Sequence, residues 1–474
     1  KIKDSVIEYE NNLHLCPLAQ KSIDAKRPLG IIKPNEKTEY QRDKDRIINS
    51  KAFRRLVDKA QVYNTDKGDH YRTRLTHTLE VNKIAKTIAR RLRLNEDLVE
   101  AIALAHDLGH TPFGHQGERT ISRLIKSKEK DIKMDVDFGY FKHNYQSIKI
   151  MNYLEERYLE YPGLDLSYQV MEGVLKHTKI KNKYDIRNYL KIGEKENLYL
   201  EGKHSITLEG QTVAMADEIA QISHDIDDGI ASGLVSYEEL ESRLKEGNLN
   251  NLKQHINKKY ESYKNKLEKA KNDPYNRQYI DEKDILREII VPVFVNYLIN
   301  KVVKDSSEKI EDYIKKAGSD NKIIKENLII TKKEHHIKLF RNIILSNIIN
   351  SYEVNFFDGK SSLIIEELFQ AYYDNPRLLP DNTINRIMKE VQVFTKNYTN
   401  LRKGNKDKIE EELSILKGEK TDGNKELNRK KAKIYIRGIA DFIAGMTDNY
   451  AKEQYKKMFM VWATIKFNKI INYY

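Results

Sequence analysis

The chain has 474 residues, 39% hydrophobic and 33% charged, the composition of a heavily charged globular protein able to bury a large core. No apolar run reaches the roughly eighteen residues a membrane-spanning helix needs, and Lys1-Ile2-Lys3-Asp4 opens no signal-like apolar segment. The single cysteine, Cys16, excludes an internal disulfide and fits a cytoplasmic location, while a formal net charge of +13 admits a polyphosphate or nucleic acid partner without choosing.

Residues 1–40 are interrupted by Pro17, Pro28, Gly30 and Pro34 and are expected to be an irregular entry segment. A helix is predicted from Thr38 through Ile47 and Ile48 toward Leu56, with Gln61 closing that segment and a polar loop at 64–71. His77 opens a helical pattern in which Val81, Ile84 and Ile88 share its face, and Arg74 stands one turn earlier on the same side. A guanidinium there is placed to neutralise phosphate oxygens. The next helix follows Asn95, an N-cap with Glu96 and Asp97 in the first turn. Its inward face of Val99, Ile102 and Ala103 leads to His106, where Gly109 and then Pro112 stop it.

One histidine on an apolar stripe is more often a hydrogen-bonded core residue than a ligand. Here His77, His106, His110 and His115 gather with Asp107 and Glu118 around one helix turn, which is a site in its own right. His106 and Asp107 at a helix end, with His77, give three ligands of mixed nitrogen and oxygen type, suited to a borderline divalent metal. His115 lies beyond the Pro112-Phe113-Gly114 turn, and Glu118 one helical turn further on is expected to bond its imidazole, as a base and its orienter.

Helices are predicted onward from Ile121 to Ile125, from His143 to Leu154 and from Leu166 to Lys176, with a charged connector at 126–137 and a loop-rich stretch at 178–206. In the long helix from Leu208, Asp217, Gln221, His224 and Asp225 share one face. An acid on such a packed face is expensive unless paired or metal-bound, so Asp217 fits as a fourth ligand. Further helices are expected at Leu240–Leu244, Ile285–Val303, Ile337–Tyr352, Leu363–Tyr373 and Ile384–Phe394, separated by lysine-rich connectors. The charge run 402–431 is expected as a solvated helix or loop, and Ile434 to Met446 as a closing helix. No strand-rich region and no glycine-rich phosphate loop is present, so the fold class is all-α. The chain divides into an entry segment 1–40, a catalytic core 41–235, a helical middle region 236–432, and a C-terminal helix region 433–474 that returns to the core.

The pattern His77…His106-Asp107…Asp217 resembles that of the HD phosphohydrolase superfamily. The run from His106 to Glu118, HDLGHTPFGHQGE, is similar to that of its deoxynucleotide triphosphohydrolase branch, the bacterial dGTPase-like enzymes. Blocks at 42–63, 143–147, 208–229 and 437–451 extend the likeness in the same order. The resemblance implies an HD-domain helical core with an additional helical region. It implies one divalent metal ion (Mn2+, Mg2+ or similar) on His77, His106, Asp107 and Asp217, with His115, Glu118 and His110 catalytic. Arg74, His143, Asn144 and Lys176 would meet the triphosphate, Gln61 and Asp225 the sugar 3′-hydroxyl, and Arg437 would reach back toward the nucleotide. Gln221 stands where many relatives place a tyrosine beneath the deoxyribose, which leaves discrimination against ribonucleotides open.

The reaction implied is attack at the α-phosphorus of a dNTP, dGTP first among them, giving deoxynucleoside and inorganic triphosphate. A homo-oligomer (tetramer or hexamer) and a nucleotide activator are implied as well, and the net positive charge admits single-stranded DNA binding beside hydrolysis. The alternatives are another HD phosphohydrolase, acting on nucleotide monophosphates or signalling nucleotides, and a nucleic-acid-binding regulatory protein. The extended run and Asp225 argue against the first, and the intact ligand set with the His115/Glu118 pair argues against the second.

Overall fold

The computed structural model describes residues 10–11, 13–30, 36–61, 72–131, 140–178, 202–246, 249–271, 282–319, 322–331, 351–392, 401, 406–419 and 424–460. Thr38 opens α1 (Glu39–Ile48): its hydroxyl takes the Gln41 amide and the Gln41 side chain takes its own. The expected continuation to Leu56 is broken. Ser50 leaves the helix and caps a short α2 (Lys51–Arg55), with a 3-10 turn at Leu56–Asp58. Glu155 takes the Lys51 and Ala52 amides that this break frees.

Thr73 caps α3 (Arg74–Leu92), and Asn95 caps α4 (Glu96–Ala105) through the Asp97 and Leu98 amides, as its sequence predicts. A turn with Phe113 at φ 60° and Gly114 at φ 59° leads into α5 (Gly114–Asp131). That helix runs into the stretch expected as a charged connector, where Lys126 and Glu129 pair across one turn at 3.0 Å. Then come α6 (His143–Lys149), which passes into a π turn at Ile150–Leu154, α7 (Tyr168–Lys176) and the long α8 (Leu208–Ala231). The remaining helices are α9 (Tyr237–Glu246), α10 (Asn250–Lys271), α11 (Glu282–Ala317), α12 (Tyr352–Asp374), α13 (Asp381–Gln392), α14 (Lys406–Leu416), α15 (Lys425–Ala444) and α16 (Asp448–Phe459).

Two of these differ from expectation. Helix α10 fills a lysine-rich stretch expected as a connector, because Leu252, Ile256 and Tyr260 recur every four residues and bury a narrow stripe. The 402–431 run holds α14 and the first turns of α15, with Ile409, Leu416 and Asn428 buried rather than solvated. The helix expected at Ile337–Tyr352, apart from its last two residues, and most of 178–206 lie outside the described residues.

The fold is all-α. Among the described residues a single bridge, Ala60 to Thr73, is the extent of β-pairing, and no helix is long and apolar enough to cross a membrane. Apolar side chains gather into two cores. In the first, α8 packs on α3, α4, α7 and α11, burying Val81, Ile102, Val174, Ile219 and Phe294. In the second, α12 packs on α5, α15 and α16 while α13 packs on α15, burying Ile121, Ile365, Ile387 and Tyr435. The turn between α4 and α5 crosses from one to the other, with Leu108 in the first core and Phe113 in the second.

Candidate metal centre and active site

Helix α3 presents His77 in its first turn, the end of α4 presents His106 and Asp107, and α8 presents Asp217. The ligating atoms of His77, His106 and Asp107 lie within 4.8 Å of one another. Asp217 Oδ1 stands 3.0 Å from His77 Nε2 and 3.8 Å from His106 Nε2. His106 donates its Nδ1–H to the Ala103 carbonyl at 2.7 Å, which fixes its tautomer. Its Nε2 is left as a buried lone pair with no hydrogen-bond partner among the described residues. An orphaned acceptor facing two carboxylates is costly unless a cation occupies the space between them.

Burial alone would raise Asp107 and Asp217. The imidazoles around them, with Arg74 at Asp107, outweigh it and hold both carboxyls well below the usual carboxylate range. At His77, Gln61 Nε2 lies 3.0 Å from Nδ1 while Gln61 Oε1 is buried without a partner among the described residues. Half a turn of that carboxamide gives an Nδ1–H its acceptor and frees the His77 Nε2 lone pair. Two imidazole nitrogens and two carboxylates, oriented in this way, fit a divalent cation and neutralise its charge.

A second tier of histidines lies against this cluster. His110 Nε2 is 3.0 Å from Asp107 Oδ1, and its ring stacks on His143 with centroids 3.9 Å apart. Burial and then Arg74 drive His110 well below the ordinary histidine range, so it is a neutral donor to Asp107 with a second orphaned nitrogen, Nδ1. Glu118 does not orient His115. Its Oε2 lies 2.5 Å from His143 Nδ1 and accepts the His143 amide at 3.0 Å, while Oε1 accepts from Lys142 at 2.7 Å. The cause is the open N-terminus of α6: Lys142 supplies no side-chain cap, so the carboxylate caps the backbone and the ring together. Burial opposes the charge on Glu118, but the His143 bond outweighs it and holds the carboxyl far below its usual range.

His177 completes the tier. Its Nδ1 donates to the Val174 carbonyl at 2.6 Å, and its Nε2 lies 3.4 Å from His143 Nε2. Burial, then His106 and His143, push it down to about 3. Solvent reaches the His115 surface although protein surrounds the ring, whose centroid is 5.4 Å from that of His110 and 6.1 Å from that of His143. That enclosure, followed by Arg74 and His143, lowers its pKa, so His115 is neutral at physiological pH.

The other expected residues fall into two groups. Arg74 is buried with Nη1 2.8 Å from Asp107 Oδ2, so its guanidinium serves a ligand before any phosphate. Gln221 is exposed on α8, one turn beyond Asp217. Asp225 is buried, and its Oδ1 has no hydrogen-bond partner among the described residues. The Asn144 amide donates to Leu175 O at 2.8 Å and Thr178 Oγ1 at 3.0 Å and lies 3.4 Å from His177 Nδ1, tying α6 to the end of α7. Lys176 pairs with Glu172 at 2.8 Å, and Arg437 donates to the Tyr140 carbonyl at 3.1 Å, just before α6. His177, His224 and Glu80 were not among the sequence candidates. His224 bonds Glu80 and stands 3.3 Å from His77, and Glu80 is visible in the sequence only as one turn beyond His77.

The chain matches the HD domain family over residues 74–222, the span that carries all four candidate ligands, and the phosphohydrolase-associated domain over 331–397. The helical fold, the cation-fitting quartet and that match define an HD-domain phosphohydrolase, a hydrolase of the metal-binding kind. A Ralstonia pickettii (strain 12J) protein described as deoxyguanosinetriphosphate triphosphohydrolase-like is 34% identical over 449 residues, covering 94% of this chain and 95% of its own. Proteins of the same description from Bordetella pertussis and Bartonella henselae are 33% and 32% identical, covering 90% and 89% of this chain and 91% and 89% of theirs. The chain belongs to this deoxyguanosinetriphosphate triphosphohydrolase-like family of HD-domain proteins.

Proposed function

We propose that the protein hydrolyses deoxynucleoside triphosphates, dGTP first among them, at the α-phosphorus, releasing the deoxynucleoside and inorganic triphosphate. One observation carries the reading. The cation-fitting quartet and a Glu118–His143–His177 chain form one buried cluster beside a neutral, solvent-reached His115. The name given to the relatives supports dGTP as the first substrate to test.

A divalent cation on His77, His106, Asp107 and Asp217 supplies charge neutralisation at the phosphate under attack. The chain's own groups account for the protons. The leaving group is a sugar alkoxide, which needs a donor. His143 and His177 both turn Nδ1 toward a carboxylate or carbonyl oxygen, which leaves their Nε2 atoms facing each other at 3.4 Å. Glu118 orients His143 through Nδ1, and His143 is the proposed donor to the leaving oxygen. His115 is the proposed acceptor of the proton that the attacking water loses. Arg74 offsets the charge of Asp107 and of a phosphate brought beside it.

The test is anion-exchange chromatography of the products formed from dGTP with Mn2+ or Mg2+. Equimolar deoxyguanosine and triphosphate are expected. Deoxyguanosine monophosphate with pyrophosphate, or the diphosphate with orthophosphate, would overturn the reading.

A further inference from the structure

We propose that Lys59 and Asp448 are positioning residues that clasp the turn between α4 and α5 and thereby set where His115 stands. The kinetic part of this inference rests on the proposed reaction; the structural part does not.

The turn is unusual at Phe113, a non-glycine residue at φ 60° followed by Gly114 at φ 59°. A left-handed residue with a side chain is strained and persists only where its surroundings over-determine it. Asp448, the first residue of α16 and 2% exposed, supplies that support: Oδ1 accepts the Phe113 amide at 2.9 Å and Oδ2 accepts the Ala60 amide at 3.0 Å. Lys59, also 2% exposed, comes from the other side. Its Nζ donates to the His110 carbonyl and, at 3.1 Å, to the Ala444 carbonyl.

The same short segment reaches the metal ligands. The Lys59 carbonyl accepts the Arg74 amide at 2.9 Å, at the start of α3, and Gln61 two residues on bonds His77. Lys59 and Asp448 thus tie together the start of α3, the catalytic turn and the junction of α15 with α16. Neither is a candidate ligand or proton carrier. Their effect on chemistry passes through the direction in which the Phe113–Gly114 pair launches α5, whose second residue is His115. An error of about 1 Å at a reacting group is enough to cost about a hundredfold in rate.

Asp448→Asn and Lys59→Met in the full chain separate this role from bulk stability. Asp448→Asn keeps the shape and one acceptor oxygen but sets an amide group against a backbone N–H. Per folded, metal-loaded chain, each variant is expected to lose about ten- to hundredfold in kcat for dGTP, with KM and Mn2+ affinity within about threefold of wild type. Amide hydrogen exchange at 110–115 should quicken about tenfold or more with other regions unchanged. A kcat per folded chain within about twofold of wild type overturns the proposal, as does a parallel loss of kcat, KM and Mn2+ affinity. If wild type itself leaves dGTP intact, the reaction reading has failed and exchange decides alone. Faster exchange confined to 110–115 with Mn2+ affinity retained supports the clasp, and unchanged exchange sinks it. Should Lys59→Met not fold, the same outcomes in Asp448→Asn decide between clasp and no clasp.

Discussion

At the scale of a single residue, Glu118 takes a different partner from the one its spacing suggests. Its position three residues after His115 fits a base-orienter pair, yet its carboxylate lies 2.5 Å from His143. The two assignments separate in a double-mutant cycle. With Glu118 acting through His143, Glu118→Gln lowers kcat by about ten- to hundredfold alone and by under about twofold when added to His143→Ala. Added to His115→Ala it should still lower the rate. The reverse pattern would return Glu118 to His115. Gln61 makes a second residue-level prediction. It orients His77 and touches no other candidate ligand among its hydrogen bonds, so Gln61→Ala should weaken Mn2+ binding about tenfold or more by titration calorimetry. Unchanged affinity would contradict the orienting role.

At the scale of elements, the close approach of α6 to the end of α4 decides whether the two histidine tiers meet. A Cβ on Gly109 would lie 2.2 Å from His143 O and Ser147 N, both backbone atoms that cannot give way. Gly109→Ala should therefore push α6 outward, cost about 1–3 kcal/mol of stability in thermal unfolding, and lower turnover by more than about tenfold, on the order expected of overpacking at a reacting site. Wild-type turnover in that variant would mean the stacked His110–His143 pair is dispensable. Element identity was largely legible where local signals agree. Asn95 reads as a cap and caps α4, and the face shared by His77, Val81, Ile84 and Ile88 is buried as its spacing predicts. It was less legible at α1, where a capping serine outcompetes an otherwise helical pattern, and at α10, whose stripe is only one residue wide.

The whole molecule supplies what no local pattern holds. The grouping of the candidate quartet was legible in the sequence because each member sits at a helix turn readable from its neighbours. Glu118 meets His143 across 25 residues, and Asp448 meets Phe113 across 335, so both pairings depend on how the two cores are joined. The fold also carries a pH signature. Burial, then Asp228, pushes the Asp225 carboxyl up to about 8, so the native chain keeps a proton that the unfolded chain has released above about pH 4. That contribution to stability is complete below the unfolded value and is lost as pH rises through about 8. Glu209, pushed up to about 7 mainly by burial, acts in the same direction. Unfolding free energy should decline from about pH 5 to 8, by at most about 1.4 kcal/mol per pH unit for each group, and Asp225→Asn should flatten but not abolish the slope. Identical slopes in denaturant titrations of the two proteins would contradict this.

The central claim is that water attacks the α-phosphorus and the bond to the sugar oxygen breaks. Hydrolysis of dGTP in 18O-labelled water, with both products analysed by mass spectrometry, tests it directly. One labelled oxygen in the inorganic triphosphate and none in deoxyguanosine is the predicted result. Label in deoxyguanosine, or in orthophosphate or pyrophosphate released in place of triphosphate, would contradict it.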